Sequence, residues 1–302
     1  MATRPGIVAL RAAAAALRHH CGAVSFLSIG HVARDEFPDG AHRLGGTALY
    51  AAATAARLGV RTSLVTRVGP QEREELSGTC RGLGIDLRVL DALVTTTFVF
   101  RWDAAGRRVL RLRARAKGIS IADVPEDLRS PDVLVLGSIA RELAADLFSG
   151  EHAKVSVLAA QGLLRAWDAD GTIRPTEWTG ADEVIRGLSC TVLSEDDVAG
   201  DTSLIEGWSR AGPVVLTLAE RGCRLYRDGR AVGEFPAFTP ERILDTTGAG
   251  DTFAAALALA LGEGRSLEDG CRFANAAASF GLEGEGIAGL ASRERVERRL
   301  GG

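Results

Sequence analysis

A chain of 302 residues with 46% hydrophobic and 25% charged content has the balance of a globular protein that buries a large core, organised as one main domain. Its formal net charge of -3 gives no electrostatic reason to expect nucleic acid or an anionic membrane as partner, so small ligands are the expected class. The five cysteines (Cys21, Cys80, Cys190, Cys223 and Cys271) are widely spaced and odd in number, which points to neither a zinc site nor a disulfide framework and reads as buried free thiols.

The first twenty residues are rich in Ala and Arg, lack acids and end in His19-His20. They resemble a weak transit peptide, but a mis-assigned start or a frayed surface helix is the plainer reading. Residues 1–21 are therefore set apart as an extension and 22–302 as the folded domain. From residue 24 onward, short aliphatic runs alternate with Ala/Leu-rich helical patterns. Strands are expected at 24–29, 62–68, 133–136, 155–158, 191–193 and 214–218, giving an α/β fold with a doubly wound, mostly parallel sheet.

Between 47 and 58 the positions Ala48, Leu49, Ala52, Ala53 and Ala56 recur at helical spacing, with Gly45-Gly46 opening the helix and Gly59 closing it. Over 95–117 the texture changes: Phe98, Phe100 and Trp102 alternate with polar residues, and Gly106 marks a turn. The second arm carries arginine at 107, 108, 111, 113 and 115, so it suits either a flap over a cleft or a solvated edge strand guarded by charge. An exposed edge bearing the three aromatic residues would allow two copies to pair as a homodimer through this hairpin.

The strongest local signal is Asp245-Thr246-Thr247-Gly248-Ala249-Gly250-Asp251, which feeds an Ala/Leu helix. A Gly-rich turn at a helix start presents unpaired backbone N–H groups and the positive end of the helix dipole, which favours an anion. Gly248 and Gly250 remove Cβ atoms that would hold an oxyanion at a distance. Asp251 at that point reads either as a helix cap or as a general base facing a hydroxyl whose proton leaves as a phosphoryl group arrives. The apolar run that follows, 252–262, is far shorter than the roughly 20 residues a bilayer requires. There is no Gly-x-x-x-x-Gly-Lys-Ser/Thr loop, and only Lys117 and Lys154 are lysines, so positive charge must come from Mg²⁺, the helix start and arginines such as Arg111 or Arg113.

The Gly-Ala-Gly-Asp turn with its apolar helix resembles the hallmark of the ribokinase-like, or phosphofructokinase B, carbohydrate kinase family. Further stretches agree in order over roughly 24–290. Ser28-Ile29-Gly30-His31-Val32-Ala33-Arg34-Asp35 resembles the first strand, whose terminal acid holds acceptor hydroxyls, here Asp35. Gly45 and Gly46 resemble the di-glycine hinge. Val214 to Gly222 resembles the Thr-x-Gly-x-x-Gly nucleotide segment, with Thr217 and Gly222 matching and Ala219 in place of a glycine, and Asn275-Ala276-Ala277-Ala278-Ser279 resembles the helix beside the adenine.

The resemblance implies a small β lid built from about 32–46 and 95–117, Mg·ATP as donor and a sugar, polyol or nucleoside as acceptor, in a cytoplasmic enzyme. Asp251 would be the base, with Gly248, Ala249 and Gly250 as the anion hole and Thr247, Thr217, Gly222 and Asn275 on the nucleotide. Where the family has Asn-x-x-Glu for the metal shell, this chain has Ser194-Glu195-Asp196-Asp197, so Ser194 and Asp197 take those positions. Gly69-Pro70-Gln71 lacks the acid of the family's Gly-x-Asp segment. Gln161-Gly162-Leu163-Leu164-Arg165 is similar to the myo-inositol kinase-like branch and marks Gln161 as an acceptor contact.

Gly284-Glu285-Gly286-Ile287-Ala288-Gly289 fits Gly-x-Gly-x-x-Gly but follows a helical pattern, so it reads as a loop near the nucleotide rather than a dinucleotide site. His31 and His42 lack ligand spacing and read as hydrogen-bonding or surface residues. The altered metal and acceptor segments keep a second reading open, a non-catalytic ligand sensor or interaction module on the same fold.

Overall fold

The computed structural model describes residues 24–102 and 108–302. The extension 1–21, with Cys21, and the expected turn at Gly106 lie outside these. In chain order the elements are β1 (Ser25–Ile29), β2 (Ala33–Glu36), β3 (His42–Gly45), α1 (Thr47–Arg57), β4 (Arg61–Arg67), α2 (Arg73–Leu83), β5 (Asp86–Leu90), β6 (Thr96–Trp102), β7 (Arg108–Ala114), β8 (Val133–Gly137), β9 (Val155–Ala159), β10 (Arg165–Trp167), β11 (Ile173–Pro175), α3 (Ala181–Arg186), β12 (Cys190–Ser194), α4 (Ser203–Trp208), β13 (Val214–Thr217), β14 (Cys223–Arg227), β15 (Arg230–Phe235), α5 (Ala249–Gly262), α6 (Leu267–Gly281) and α7 (Arg293–Gly301).

Nine strands form one sheet in the order β15-β14-β13-β12-β9-β8-β1-β4-β5. The run from β13 to β5 is parallel, and β14 and β15 add an antiparallel edge. Both faces are covered, which explains the uninterrupted apolar runs in the sequence. Phe26, Val133, Val135 and Val157 face α1, α5 and α6, whereas Leu27, Ile29, Leu134, Leu136 and Leu158 face a second core with Leu147, Ile185 and Trp208. The expected strands and the helix at 47–58 are present within two residues of their expected bounds. Gly59 closes α1 with φ 85°: its N–H donates to the Ala56 carbonyl at 3.0 Å and that of Val60 to Ala55 at 3.3 Å. Cys80, Cys190, Cys223 and Cys271 are buried and free.

The chain runs outward from β1 to β4 and β5 on one side, then returns to build β8, β9, β12 and β13 on the other. Strand order therefore reverses between β1 and β8, and in open α/β sheets ligands bind at the carboxyl ends of strands beside such a point. There, a Cβ on Gly30 would lie 2.2 Å from the Gly137 carbonyl oxygen, and one on Gly137 would lie 2.7 Å from Thr47 Cγ2. Two glycines thus let the start of α1 settle against the carboxyl ends of both strands.

A separate four-stranded sheet, β3-β2-β6-β7, is inserted between β1 and α1 and between β5 and β8. Its order corrects the expectation of an exposed aromatic edge: β6 is interior, and the edges are β3 and β7. Phe98 and Phe100 are buried with Ala33, Leu112, Ile139 and Ala140. Alternation revealed that one face of the hairpin is buried, but the surfaces that cover it are distant in sequence. No helix among the described residues is long and apolar enough to cross a membrane.

Candidate active site

The loop before α5 is organised by Asp245. One carboxylate oxygen accepts from the Thr247 N–H at 2.9 Å, and the other accepts from Arg43 of β3 at 2.6 Å and from the Gly286 N–H at 3.2 Å. Burial pushes the Asp245 carboxyl up, but the hydrogen bonds from Thr247, Arg43 and Gly286 outweigh it and hold the group below its ordinary range. Thr247, expected on the nucleotide, thus has its backbone fixed by this turn, and Gly286 of the Gly-x-Gly-x-x-Gly segment is tied to the same carboxylate.

Gly248 caps α5 with φ 80° and accepts the first helical bond from the Thr252 N–H at 2.8 Å. A Cβ at 248 would stand 2.2 Å from the Tyr50 ring, so glycine is demanded here by packing as well as by the left-handed backbone. This revises the reason given for that glycine: its missing Cβ accommodates Tyr50. At Gly250, in contrast, an added Cβ meets nothing within 4 Å, so the helix start is open on that side, beside Ala249.

Asp251 lies in the first turn of α5 and accepts the Thr47 hydroxyl at 2.7 Å. Burial raises its carboxyl above the ordinary range; the Thr47 bond and the charge of Arg165 oppose this, and the charge of Asp197 adds to it. Tyr50 is also buried, and the charges of Asp251, Asp245 and Asp35 join burial in pushing its phenol up, so the ring stays neutral near neutrality. These effects bring residues from α1, β2, β10 and the turn after β12 to one place. Tyr50, Thr47, Arg43 and Arg165 were not assigned a role from the sequence; the available signals were that Thr47 and Tyr50 closely follow the di-glycine pair and that Arg165 ends the stretch 161–165.

Asp35 is buried on β2, and Gly45 on the neighbouring strand lies against it: a Cβ there would be 2.3 Å from Oδ2. Gly46, with φ 90°, caps α1 beside the His31 carbonyl. Gln161 opens the turn after β9, which packs on Ser138 and on the turn 195–198. Thr217 pairs in register with Ser194 and donates to the Leu193 carbonyl at 3.4 Å. Gly222 takes φ 91° after the turn 219–221, and its carbonyl accepts from the Leu218 N–H at 2.7 Å.

Several side chains are engaged otherwise than the sequence suggested. The Asn275 amide donates to the carbonyls of Phe235 at 2.9 Å and Pro236 at 3.1 Å, which ties the end of β15 to α6. Arg113 pairs with Glu36 at 2.5 Å and Arg111 with Asp170, so the two arginines expected to serve the phosphate each have a carboxylate partner on the surface. The acid missing from Gly69-Pro70-Gln71 occurs one residue later: Glu72 is buried, accepts from the Thr95 hydroxyl at 2.5 Å and pairs with Arg34 at 3.0 Å. His31 is buried and hydrogen-bonded through both ring nitrogens, to the Thr96 hydroxyl and the Lys117 carbonyl.

Ser194 and Asp197 cap the short turn between them: Asp197 Oδ2 accepts from the Ser194 N–H at 2.8 Å and from its hydroxyl at 2.7 Å. Among the described residues no group of three or more His, Cys, Asp or Glu has the geometry to hold a metal by itself. Magnesium, however, keeps several waters and needs only one or two carboxylates beside substrate phosphates. Asp197, close enough for its charge to act on Asp251, fits that requirement.

Residues 195–292, which include the turn at 245–251, match the family described as pfkB family carbohydrate kinase. The bifunctional protein HldE of Azorhizobium caulinodans is 28% identical over 267 residues, 82% of this chain and 55% of that protein. Bacillus subtilis ribokinase is 44% identical over 90 residues, 28% of this chain and 29% of its own length. The matches thus span about half or less of these relatives. Among solved structures, a pyrophosphate-dependent myo-inositol-1 kinase variant aligns with TM-score 0.75 and 22% identity over 91% of this chain and 98% of its own. Arabidopsis thaliana ribokinase with ribose and ATP aligns with TM-score 0.72 and 21% identity over 92% of this chain and 99% of its own. Residues 195–292 are thus similar to the pfkB family of carbohydrate kinases, and the chain as a whole has the fold of ribokinase.

Proposed function

We propose that this protein transfers the terminal phosphoryl group of ATP to a hydroxyl of a small sugar, polyol or nucleoside, with Asp251 as general base. The observation that carries this reading is the position of Asp251: a carboxylate with its proton affinity raised by burial, in the first turn of a helix whose start is open at Gly250. Raised affinity suits a group that must take a proton from an alcohol, work that contributes about 10²–10⁴-fold. The N–H groups of Gly248, Ala249 and Gly250 act as the anion hole, and Asp35, Gly45, Gly46 and Gln161 line the acceptor side.

Thr217, Gly222 and Thr247 serve the nucleotide side, with Asn275 supporting it from behind. Asp197, oriented by Ser194, would hold magnesium through water, and the ion when bound neutralises charge on the donor phosphates. The four-stranded sheet acts as the lid. The Arabidopsis relative is described with ribose and ATP, and others as cytidine and nucleoside kinases, which supports this acceptor range. The inositol branch is supported by a pyrophosphate-dependent neighbour with a TM-score of 0.75, so pyrophosphate is the second donor to test.

The test is a coupled assay for ADP, and for phosphate from pyrophosphate, with magnesium and a panel of sugars, polyols and nucleosides. Transfer to at least one acceptor is expected. Binding of an acceptor with no transfer from either donor across the panel would instead support a ligand sensor, a reading favoured by the closed Ser194–Asp197 contact.

A further inference from the structure

Thr47 occupies the first position of α1, directly after Gly45-Gly46, and is 1% exposed. Its two branches point to different neighbours. The methyl group lies against Gly137 at the end of β8, and the hydroxyl donates to Asp251 Oδ1 at 2.7 Å. Gly45, two residues earlier, packs against the Asp35 carboxylate. Three consecutive residues thus join the acid on the small sheet to the acid at the anion turn, across a separation of 204 residues between Thr47 and Asp251.

We propose that Thr47 is a positioning residue, whose hydroxyl fixes one oxygen of Asp251 and leaves the other for the acceptor proton. The proposal rests on the reading of Asp251 as the base. A β-branched residue is stiff at χ1, so contact of the methyl with Gly137 adds to the hold on the hydroxyl, whose bond to Asp251 carries the effect. A hydrogen bond donated to a carboxylate favours the ionised form, the form that can accept a proton. The other groups whose charges act on Asp251 are Arg165 of β10 and Asp197 after β12, and the charge of Asp251 in turn helps to keep the Tyr50 phenol of α1 neutral.

The two branches can be removed separately. Thr47→Val keeps the methyl and removes the hydroxyl; Thr47→Ser does the reverse; Thr47→Ala removes both. In the full chain labelled with carboxyl-¹³C aspartate, the Asp251 signal is identified by its loss in Asp251→Asn and followed as pH is varied. Thr47→Val and Thr47→Ala are expected to move its titration midpoint upward, and Thr47→Ser to return it toward the wild-type value. On an acceptor found in the panel, kcat of Thr47→Val should fall roughly 10-fold with KM nearly unchanged, and Thr47→Ser should recover most of it.

An unchanged midpoint in Thr47→Val and Thr47→Ala overturns the proposal, as does a shift in Thr47→Ser as large as that in Thr47→Val, which would assign the effect to methyl packing. If the midpoint shifts as expected but the wild-type chain transfers phosphate to no acceptor, the hold of Thr47 on Asp251 stands and the kinase reading is what falls.

Discussion

The ring of Tyr50 occupies the space that a side chain on Gly248 would need, at 2.2 to 2.6 Å from the position of an added Cβ. The two glycines of the anion turn are therefore not equivalent. Gly248→Ala forces a left-handed alanine against an aromatic ring, which combines roughly 1–2 kcal/mol of backbone strain with about 1–3 kcal/mol of overpacking. Gly250→Ala meets open space on a helix, where alanine is favoured by about 0.5–1 kcal/mol. Thermal melts should show the first variant clearly destabilised and the second unchanged or slightly stabilised. On the proposed reading of this turn as an anion hole, turnover should fall in both. Full activity in Gly250→Ala would remove the anion from that side of the helix.

Asp251→Asn separates function from stability. Turnover should drop by roughly 10²-fold or more while donor binding persists. The folded-state proton affinity of Asp251 is raised, so the folded state binds the proton more tightly than the unfolded chain. Its contribution to stability is therefore present at low pH and lost as pH rises from the ordinary carboxylate value through the raised one. At neutral pH the ionised group is a burden, and Asp251→Asn should melt higher than the wild type. The same sign predicts that the acidic limb of the rate profile lies above the ordinary carboxylate range. A lower melting temperature at neutral pH for the asparagine variant would contradict this account of the site.

The parallel sheet was legible in the sequence because strands buried on both faces leave continuous apolar runs, as in 133–136. The turn that starts α5 was legible because its pattern is local, with Gly248, Gly250 and Asp251 within four positions. Thr47 and Tyr50 were not, since an Ala-rich helix gives no sign of which side chain faces a turn some 200 residues away. Asn275 shows the intermediate case: its place on a helix could be read, but not that its amide would bond to the carbonyls of Phe235 and Pro236. Glu72 shows that a motif shifted by one residue can still supply a buried carboxylate.

Ala219, at a position where the resemblance expects a glycine, has a left-handed backbone with φ 50°. Left-handed backbone costs a non-glycine residue roughly 1–2 kcal/mol, of which the greater freedom of unfolded glycine offsets about 0.4–1 kcal/mol. Ala219→Gly should therefore raise stability by at most about 1.6 kcal/mol, seen as an increase of roughly 3 °C or less in Tm. A decrease would show that the turn 219–221 relaxes around the alanine without strain.

Asp245 binds three segments to one carboxylate: the turn before α5 through Thr247, the loop at Gly286 and the small sheet through Arg43. Its folded-state proton affinity is lowered, so the stability it contributes is present above the ordinary carboxylate value and lost as pH falls from there through the lowered one. Asp245→Asn keeps the shape but weakens three hydrogen bonds at a half-buried charge, with a cost on the order of 2 kcal/mol. Arg43→Ala removes a partner that is 41% exposed, and solvent screening limits that loss to about 0.5–1 kcal/mol. Melts of both variants from neutral to acidic pH should therefore show the larger loss in Asp245→Asn, narrowing toward wild type in acid as the native carboxylate is itself protonated. A difference between Asp245→Asn and wild type that stays constant down to acidic pH would mean that shape, and not charge, holds the three segments together.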